Sequence, residues 1–322
     1  SLTGTDTVAN YQSILQAVTY ENTSSTADES DRTISFTVND AYTVSNTIDS
    51  TVSVKNVNDV DLSSITTSAE LESIISTLTE DTILYFDSAT DITVTWSSTL
   101  RFNIASLDLN NLSIENRGAG EVVFDGNSNR IFSIDGGSTR TMIFDNIKFF
   151  NGLSTGSGAP INLTVYSEFK NCSFTNNTGV TGGALYFSST SSRIENCTFD
   201  SNSSTSLGGA VYYDGGAKLY IDNSTFIGNT SVNGGAVYND GDIIISNSTF
   251  YNNEASSSGN AIYVNDSFTI SNSIISGSIF DSNSKLTSNG YNWWSEGNLG
   301  GTADIDGSVI GQELADIQLA TS

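Results

Sequence analysis

The sequence predicts an all-β chain whose larger part is a right-handed parallel β-helix, with a short capping helix at its start and a partial β-sandwich segment before that. Three observations predict it. One motif recurs as Asn171-Cys172-Ser173-Phe174, Asn196-Cys197-Thr198-Phe199, Asn223-Ser224-Thr225-Phe226 and Asn247-Ser248-Thr249-Phe250, with its phenylalanines at a nearly constant spacing. A second motif keeps the same beat: Gly182-Gly183-Ala184-Leu185-Tyr186, Gly208-Gly209-Ala210-Val211-Tyr212, Gly234-Gly235-Ala236-Val237-Tyr238 and Gly259-Asn260-Ala261-Ile262-Tyr263. Third, each period holds short alternating runs such as Asp242-Ile243-Ile244-Ile245 between Gly, Asn and Ser, and no helical stripe. Self-similarity at such a period points to stacked supersecondary units.

One rung cannot bury its apolar side, whereas stacked rungs bury a continuous column of like residues. Equivalent positions then lie about 4.8 Å apart on parallel strands. The asparagines obey the same logic. Asn146, Asn171, Asn196, Asn223, Asn247 and Asn272 recur just before a strand, and Asn177, Asn202, Asn229 and Asn253 recur three residues after the phenylalanine. Asparagine tolerates left-handed backbone, and its amide both donates and accepts between rungs. Two asparagine ladders are expected. The first also generates Asn-X-Ser/Thr sequons, which its periodicity assigns to the ladder rather than to glycosylation.

Taken in chain order, residues 1–60 form a partial sandwich segment. The runs 32–40 and 50–59 alternate strictly, but about sixty residues fall short of the roughly 100 of a complete immunoglobulin-like sandwich. Residues 61–322 are the β-helix with its caps. Within 66–79, Thr67 or Ser68 offers a helix N-cap, Glu70 and Glu72 suit the first turn, and Leu71, Ile74, Ile75 and Leu78 share one face. That helix covers the first rung, which would otherwise expose unpaired backbone. At about 285–322 the repeat is lost, and Tyr291, Trp293 and Trp294 plug the last rung. A half-sandwich at one end and the alternating tail at 314–320 would allow head-to-tail strand addition and filaments. A chain that is simply part of a longer protein is the slightly favoured alternative.

The formal net charge is −25, from 36 acidic and 11 basic residues. Such a field disfavours nucleic acid and anionic membrane and favours cations such as Ca²⁺. No apolar run approaches a membrane span, so no membrane insertion is expected. With no histidine, any metal site uses oxygen ligands and imidazole acid–base chemistry is excluded. Cys172 and Cys197 share one rung position, where parallel neighbours orient both Cβ atoms alike, so two buried thiols are expected rather than a disulfide.

Residues 1–60 resemble the later half of a cadherin-like repeat of large bacterial surface proteins, through Thr5-Asp6-Thr7-Val8-Ala9-Asn10-Tyr11, Val18-Thr19-Tyr20, Phe36-Thr37-Val38-Asn39-Asp40 and Val57-Asn58-Asp59. Residues 100–295 resemble the β-helix of bacterial and chlamydial surface proteins of the polymorphic outer-membrane kind, which repeat Gly-Gly-Ala-Ile and Asn-Cys-Thr-Phe. The resemblance implies an extracellular, cell-surface protein. It also puts a calcium ion against the alternative of a plain polar turn at Asp40, Asn56, Asn58, Asp59 and Asp61.

β-Helices also carry polysaccharide lyases and hydrolases. The lyase pattern sets a basic residue beside calcium-binding acids, yet Arg101, Arg117, Arg130, Arg140, Lys148, Lys170, Arg193 and Lys218 fall at no common rung position. Asp200 and Asp214 are carboxylates on neighbouring turns, and inverting hydrolysis needs such a pair about 6.5–9.5 Å apart. Tyr186, Tyr212, Tyr238 and Tyr263 form either an outward stripe for sugar rings or an aromatic ladder supporting the coil. The sequence therefore supports a non-catalytic structural or adhesive rod, able to form filaments. Its partners are a surface or matrix polysaccharide or further copies of itself. The competing readings are a carbohydrate-active enzyme and a polysaccharide-binding module.

Overall fold

The computed structural model describes residues 32–36, 48–52, 58–156, 158–188, 191–295 and 305–306. The chain divides into two compact units, residues 1–59 and 60–322. In the first, Arg32–Phe36 and Ile48–Val52 pair antiparallel, with Arg32 opposite Val52 and Phe36 opposite Ile48. The strands expected at 32–40 and 50–59 thus share one ladder, and the turn-bearing stretch between them lies outside the described residues.

The second unit is a parallel β-solenoid of about nine turns. Near its start lies a helix, Ser68–Ile75, whose N-cap is Thr67 in a capping box with Glu70. Glu70 Oε2 accepts from the backbone N–H of Thr66 and Thr67 at 2.9 and 3.0 Å, which holds its carboxyl below the usual range. Those bonds satisfy donors that a helix start leaves open. Leu71 and Ile75 are buried, and Ile74 and Leu78 pack partly against the same core. Fully burying such an aliphatic side chain contributes about 1.5–3 kcal/mol, so the apolar face, not helix propensity, holds these two turns in place.

The rung from Ser192 to Asp222 shows how the coil closes. Ser192–Glu195 runs in a sixteen-stranded sheet, Thr198–Asp200 in a ten-stranded sheet and Ser203–Leu207 in a four-stranded sheet. Val211–Asp214 and Lys218–Asp222 then return the chain to the sixteen-stranded sheet, one level up. Corners fall where the chain can take positive φ: Asn196 at 55°, Ser201 at 55° and Gly208 at 63°. At the next corner residue, Gly209, a Cβ would stand 1.9 Å from the carbonyl oxygen of Gly235 on the following rung. Only glycine lets the rungs approach there.

Register within the ten-stranded sheet is kept from rung to rung. Phe149 aligns with Phe174, Phe174 with Phe199, Phe199 with Phe226 and Phe226 with Phe250. All five are fully buried. Their rings are stacked with centroids 4.5–5.0 Å apart and planes within 9° of parallel. In the earlier rungs Trp96, Phe124, Phe132 and Phe144 meet edge-on or tilted instead. At the far end Trp293–Trp294 pairs in register with Ile274–Ile275, so the ten-stranded sheet continues through the aromatics.

Amide hydrogen bonds connect the corners. Asn177, Asn202, Asn229 and Asn253 are buried. Asn202 Oδ1 accepts from the backbone N–H and the Nδ2 of Asn177 at 3.1 and 3.0 Å, and Asn202 Nδ2 donates to Phe174 O and Asn229 Oδ1, both at 2.9 Å. The pre-strand asparagines are exposed and bond more simply, as where Asn223 Nδ2 donates to Asn196 Oδ1 at 2.7 Å.

Candidate functional site

A strand alternates its side chains between two faces, and on Leu185–Ser188 the inner ones are Leu185 and Phe187, both fully buried. Tyr186 therefore faces outward. Its in-register mates occupy the same outer position, although Tyr212 is buried there at 8 % exposure: Tyr186 aligns with Tyr212, Tyr212 with Tyr238, Tyr238 with Tyr263 and Tyr263 with Phe280. Centroids are 5.2, 5.5, 4.6 and 4.9 Å apart along this series. Such spacing admits no second ring between members. A planar ligand can lie flat only on the two ends, at Tyr186 and Phe280, and elsewhere meets ring edges and phenol oxygens.

Acidic side chains border the column. Tyr186 Oη donates to Asp214 Oδ2 at 3.4 Å, and Tyr212 Oη donates to Asp240 Oδ2 at 3.5 Å. Burial, followed by the nearby Asp214 and Asp240 carboxylates, pushes the Tyr212 phenol well above its ordinary pKa. Burial raises Tyr186 and Tyr238 as well. These phenols stay protonated and act as donors throughout the physiological range.

The column also continues towards the start of the solenoid. Tyr186 aligns with Asn162, Asn162 with Ser133 and Ser133 with Arg101. Arg101 borders a cleft of about 500 Å³ with Arg130, Ser128, Asn129, Ser154 and Thr155 among its walls. Arg130 Nη2 donates to Ser154 Oγ at 2.5 Å. Burial first, and then the like charge of Arg101, lower the pKa of Arg130. The two arginines, distant in sequence, are thus neighbours, although the basic residues as a group share no rung position.

The other residues singled out from the sequence separate. Asp200 ends a strand of the ten-stranded sheet and Asp214 a strand of the sixteen-stranded sheet, where Asp200 accepts from Ser201 Oγ and Asp214 from Tyr186 Oη. They stand on different walls of the coil. Cys172 and Cys197 are free and buried, each with its Sγ 3.2 Å from a carbonyl oxygen two residues earlier. Burial raises the Cys172 thiol well above its ordinary pKa, which makes it unreactive. Of the calcium candidates, Asp40 and Asn56 lie outside the described residues, as does the tail at 314–320. Asn58, Asp59 and Asp61 are described, and Asp61 Oδ1 accepts from Ser63 N and Oγ at 2.8 and 2.6 Å. Among the described residues no group of three or more Cys, Asp or Glu side chains is placed to hold a metal ion, and no helix is long and apolar enough to cross a membrane.

Three stretches, residues 196–214, 223–240 and 247–265, match the Chlamydia polymorphic membrane protein repeat. Each runs from the pre-strand asparagine through the phenylalanine and the glycine corner to just past the tyrosine. No curated protein and no solved structure matches the chain.

Proposed function

From a solenoid whose rungs are of the polymorphic-membrane-protein kind, we propose that this chain is a non-catalytic rod of a bacterial surface protein. Displayed outside the cell, it meets a surface or matrix polysaccharide along its outward aromatic column. The carrying observation is the column's place. Four tyrosines and Phe280 occupy one outer position of successive rungs, where filling the core does not call for them. Aromatic bodies with phenol donors and neighbouring carboxylates suit the mixed apolar and hydroxyl surface of a sugar.

Affinity electrophoresis of the full chain through gels containing neutral or acidic polysaccharides tests this reading. The expected result is retardation by at least one polymer, lost in a Tyr238→Ala, Tyr263→Ala double variant whose melting temperature stays within a few degrees of the parent. Unretarded migration in every gel would sink the adhesive reading, and new reducing or unsaturated ends would establish the carbohydrate-active enzyme instead.

Calcium near residues 40–61 belongs to the same proposal. If the ion binds there, EDTA lowers the melting temperature or opens this stretch to proteases. Unchanged melting and cleavage would leave these acids as ordinary turn residues.

A further inference from the structure

The N-terminal end of the aromatic column is built differently from its middle. Tyr186 and Tyr212 are stacked at 5.2 Å with planes 8° from parallel, so the other face of Tyr186 looks along the coil towards the preceding rung. Its register neighbour there is Asn162. An asparagine side chain ends at its amide, level with the inner carbons of a phenol ring, and leaves the outer part of that face uncovered. Equivalent positions one rung apart are separated by about 4.8 Å, enough for one saturated ring in van der Waals contact with the phenol.

Asn162 is the unusual residue of this step. On Ile161–Lys170 the buried Ile161, Leu163 and Val165 turn Asn162 and Thr164 outward. Among the described residues the Asn162 amide has no hydrogen-bond partner, and its Oδ1 is shut off from solvent. Folded proteins pair nearly all such atoms, so an exception calls for a physical reason. A hydroxyl donates and accepts alike, and one placed at this step pairs with whichever end of the amide is turned outward. Next to it Thr164 Oγ1 donates to Oδ1 of the exposed Asp135 at 2.9 Å. At the tip of the ring, Tyr186 Oη donates to Asp214 Oδ2 at 3.4 Å. An open aromatic face with an amide and two carboxylates at its border is a fitting for a polyhydroxylated ring. The other end of the column lacks these groups. Phe280 has no phenol oxygen, and both carboxylate oxygens of Asp281 beside it accept backbone bonds, from Lys285 and Leu286 at 2.9 and 3.0 Å.

We infer that the step between Asn162 and Tyr186 binds one neutral hexopyranose, its C–H face on the Tyr186 ring and a hydroxyl on the Asn162 amide. Asp135 accepts from a second hydroxyl. A uronic acid or a sulfated sugar is repelled by Asp135, by Asp214 and by the net charge of −25. The inference rests on the reading of the rod as a surface module that meets polysaccharide, and it moves the decisive contact from the length of the column to its first ring.

Saturation-transfer nuclear magnetic resonance of the full chain with methyl β-D-glucopyranoside, methyl β-D-galactopyranoside and methyl β-D-glucopyranosiduronic acid tests it. At least one neutral glycoside is expected to bind, with the strongest transfer to its ring C–H protons, and the uronic acid at least tenfold more weakly. Tyr186→Ala should abolish the signal, and Phe280→Ala should leave it unchanged. Asn162→Leu should lower the affinity at least fivefold while the melting temperature holds or rises, because an unpaired amide is removed. A purely structural asparagine would give the reverse, a lower melting temperature with unchanged binding. That result, silence from both neutral glycosides, equal binding of the uronic acid, or a signal lost in Phe280→Ala but kept in Tyr186→Ala would overturn the site. The two readings fail separately. If polysaccharide retardation depends on Tyr238 and Tyr263 while neither neutral glycoside binds, the column stands and the step falls. If a neutral glycoside binds through Tyr186 and Asn162 while no polysaccharide retards the chain, the step stands and the adhesive rod falls.

Discussion

Replacing Phe226 by alanine should remove about 3–5 kcal/mol of stability, the usual range for a large aromatic taken from a core. Its ring lies between Phe199 at 4.6 Å and Phe250 at 4.7 Å, both within 2° of parallel. The void cannot close by collapse, because backbone bonds fix the rungs on either side: Thr225 N–H donates to Cys197 O at 2.8 Å and Thr249 N–H to Ser224 O at 2.9 Å. Dispersion contacts on both ring faces are therefore lost outright. Urea unfolding followed by far-ultraviolet circular dichroism measures the cost. A solenoid is stabilised by neighbour contacts, so the mid-column defect is also expected to broaden or split the transition. A loss no larger than that of an ordinary surface substitution, about 0.5 kcal/mol, would mean that these phenylalanines do not share one column.

A comparable loss, again about 3–5 kcal/mol, is expected for Asn202→Leu, which preserves size and removes polarity, because each orphaned buried group costs about 1–3 kcal/mol. The leucine leaves the buried N–H of Asn177 without its acceptor, strips one acceptor from Asn177 Nδ2 and takes a donor from Phe174 O. Asn196→Gly is the matched comparison. Its amide bond to Asn171 is exposed, at 3.3 Å, and glycine accepts the corner's φ of 55° readily. That variant should lose little. Equal losses in the two variants would show that the buried amide bonds carry no more weight than the exposed ones.

The sequence disclosed most of this wherever rungs have nearly constant length. Phe174 to Phe250 and the two asparagine series recur on one steady beat, so counting alone assigns their register. The helix was equally legible, because a Thr67–Glu70 capping box followed by Leu71, Ile74 and Ile75 leaves little choice. Tyr186 shows where pattern stops. Period-two alternation separates it from Leu185 and Phe187 but does not say which set faces in, since all three are apolar enough to be buried. The arginine cleft was hidden for another reason. Early rungs are longer, with Leu100 aligned to Phe132, and the strand Phe132–Asp145 carries register shifts against Ile161–Lys170. Positions 101 and 130 obey no fixed period, so only the folded coil brings them together.

The two sets of rung-to-rung amides run in opposite senses. At the buried corner Asn177 donates to Asn202, Asn202 to Asn229 and Asn229 to Asn253, always towards the C-terminal end. At the exposed corner Asn196 donates to Asn171, Asn223 to Asn196 and Asn272 to Asn247, towards the N-terminal end. Aligned amide dipoles add along an axis as they do in a helix, but two antiparallel lines of them cancel. Sheets themselves have only small net dipoles. A coil built this way gains length without accumulating a partial charge at either tip, so its ends need shielding from solvent on account of their apolar side chains and open backbone edges, not of a growing electric field.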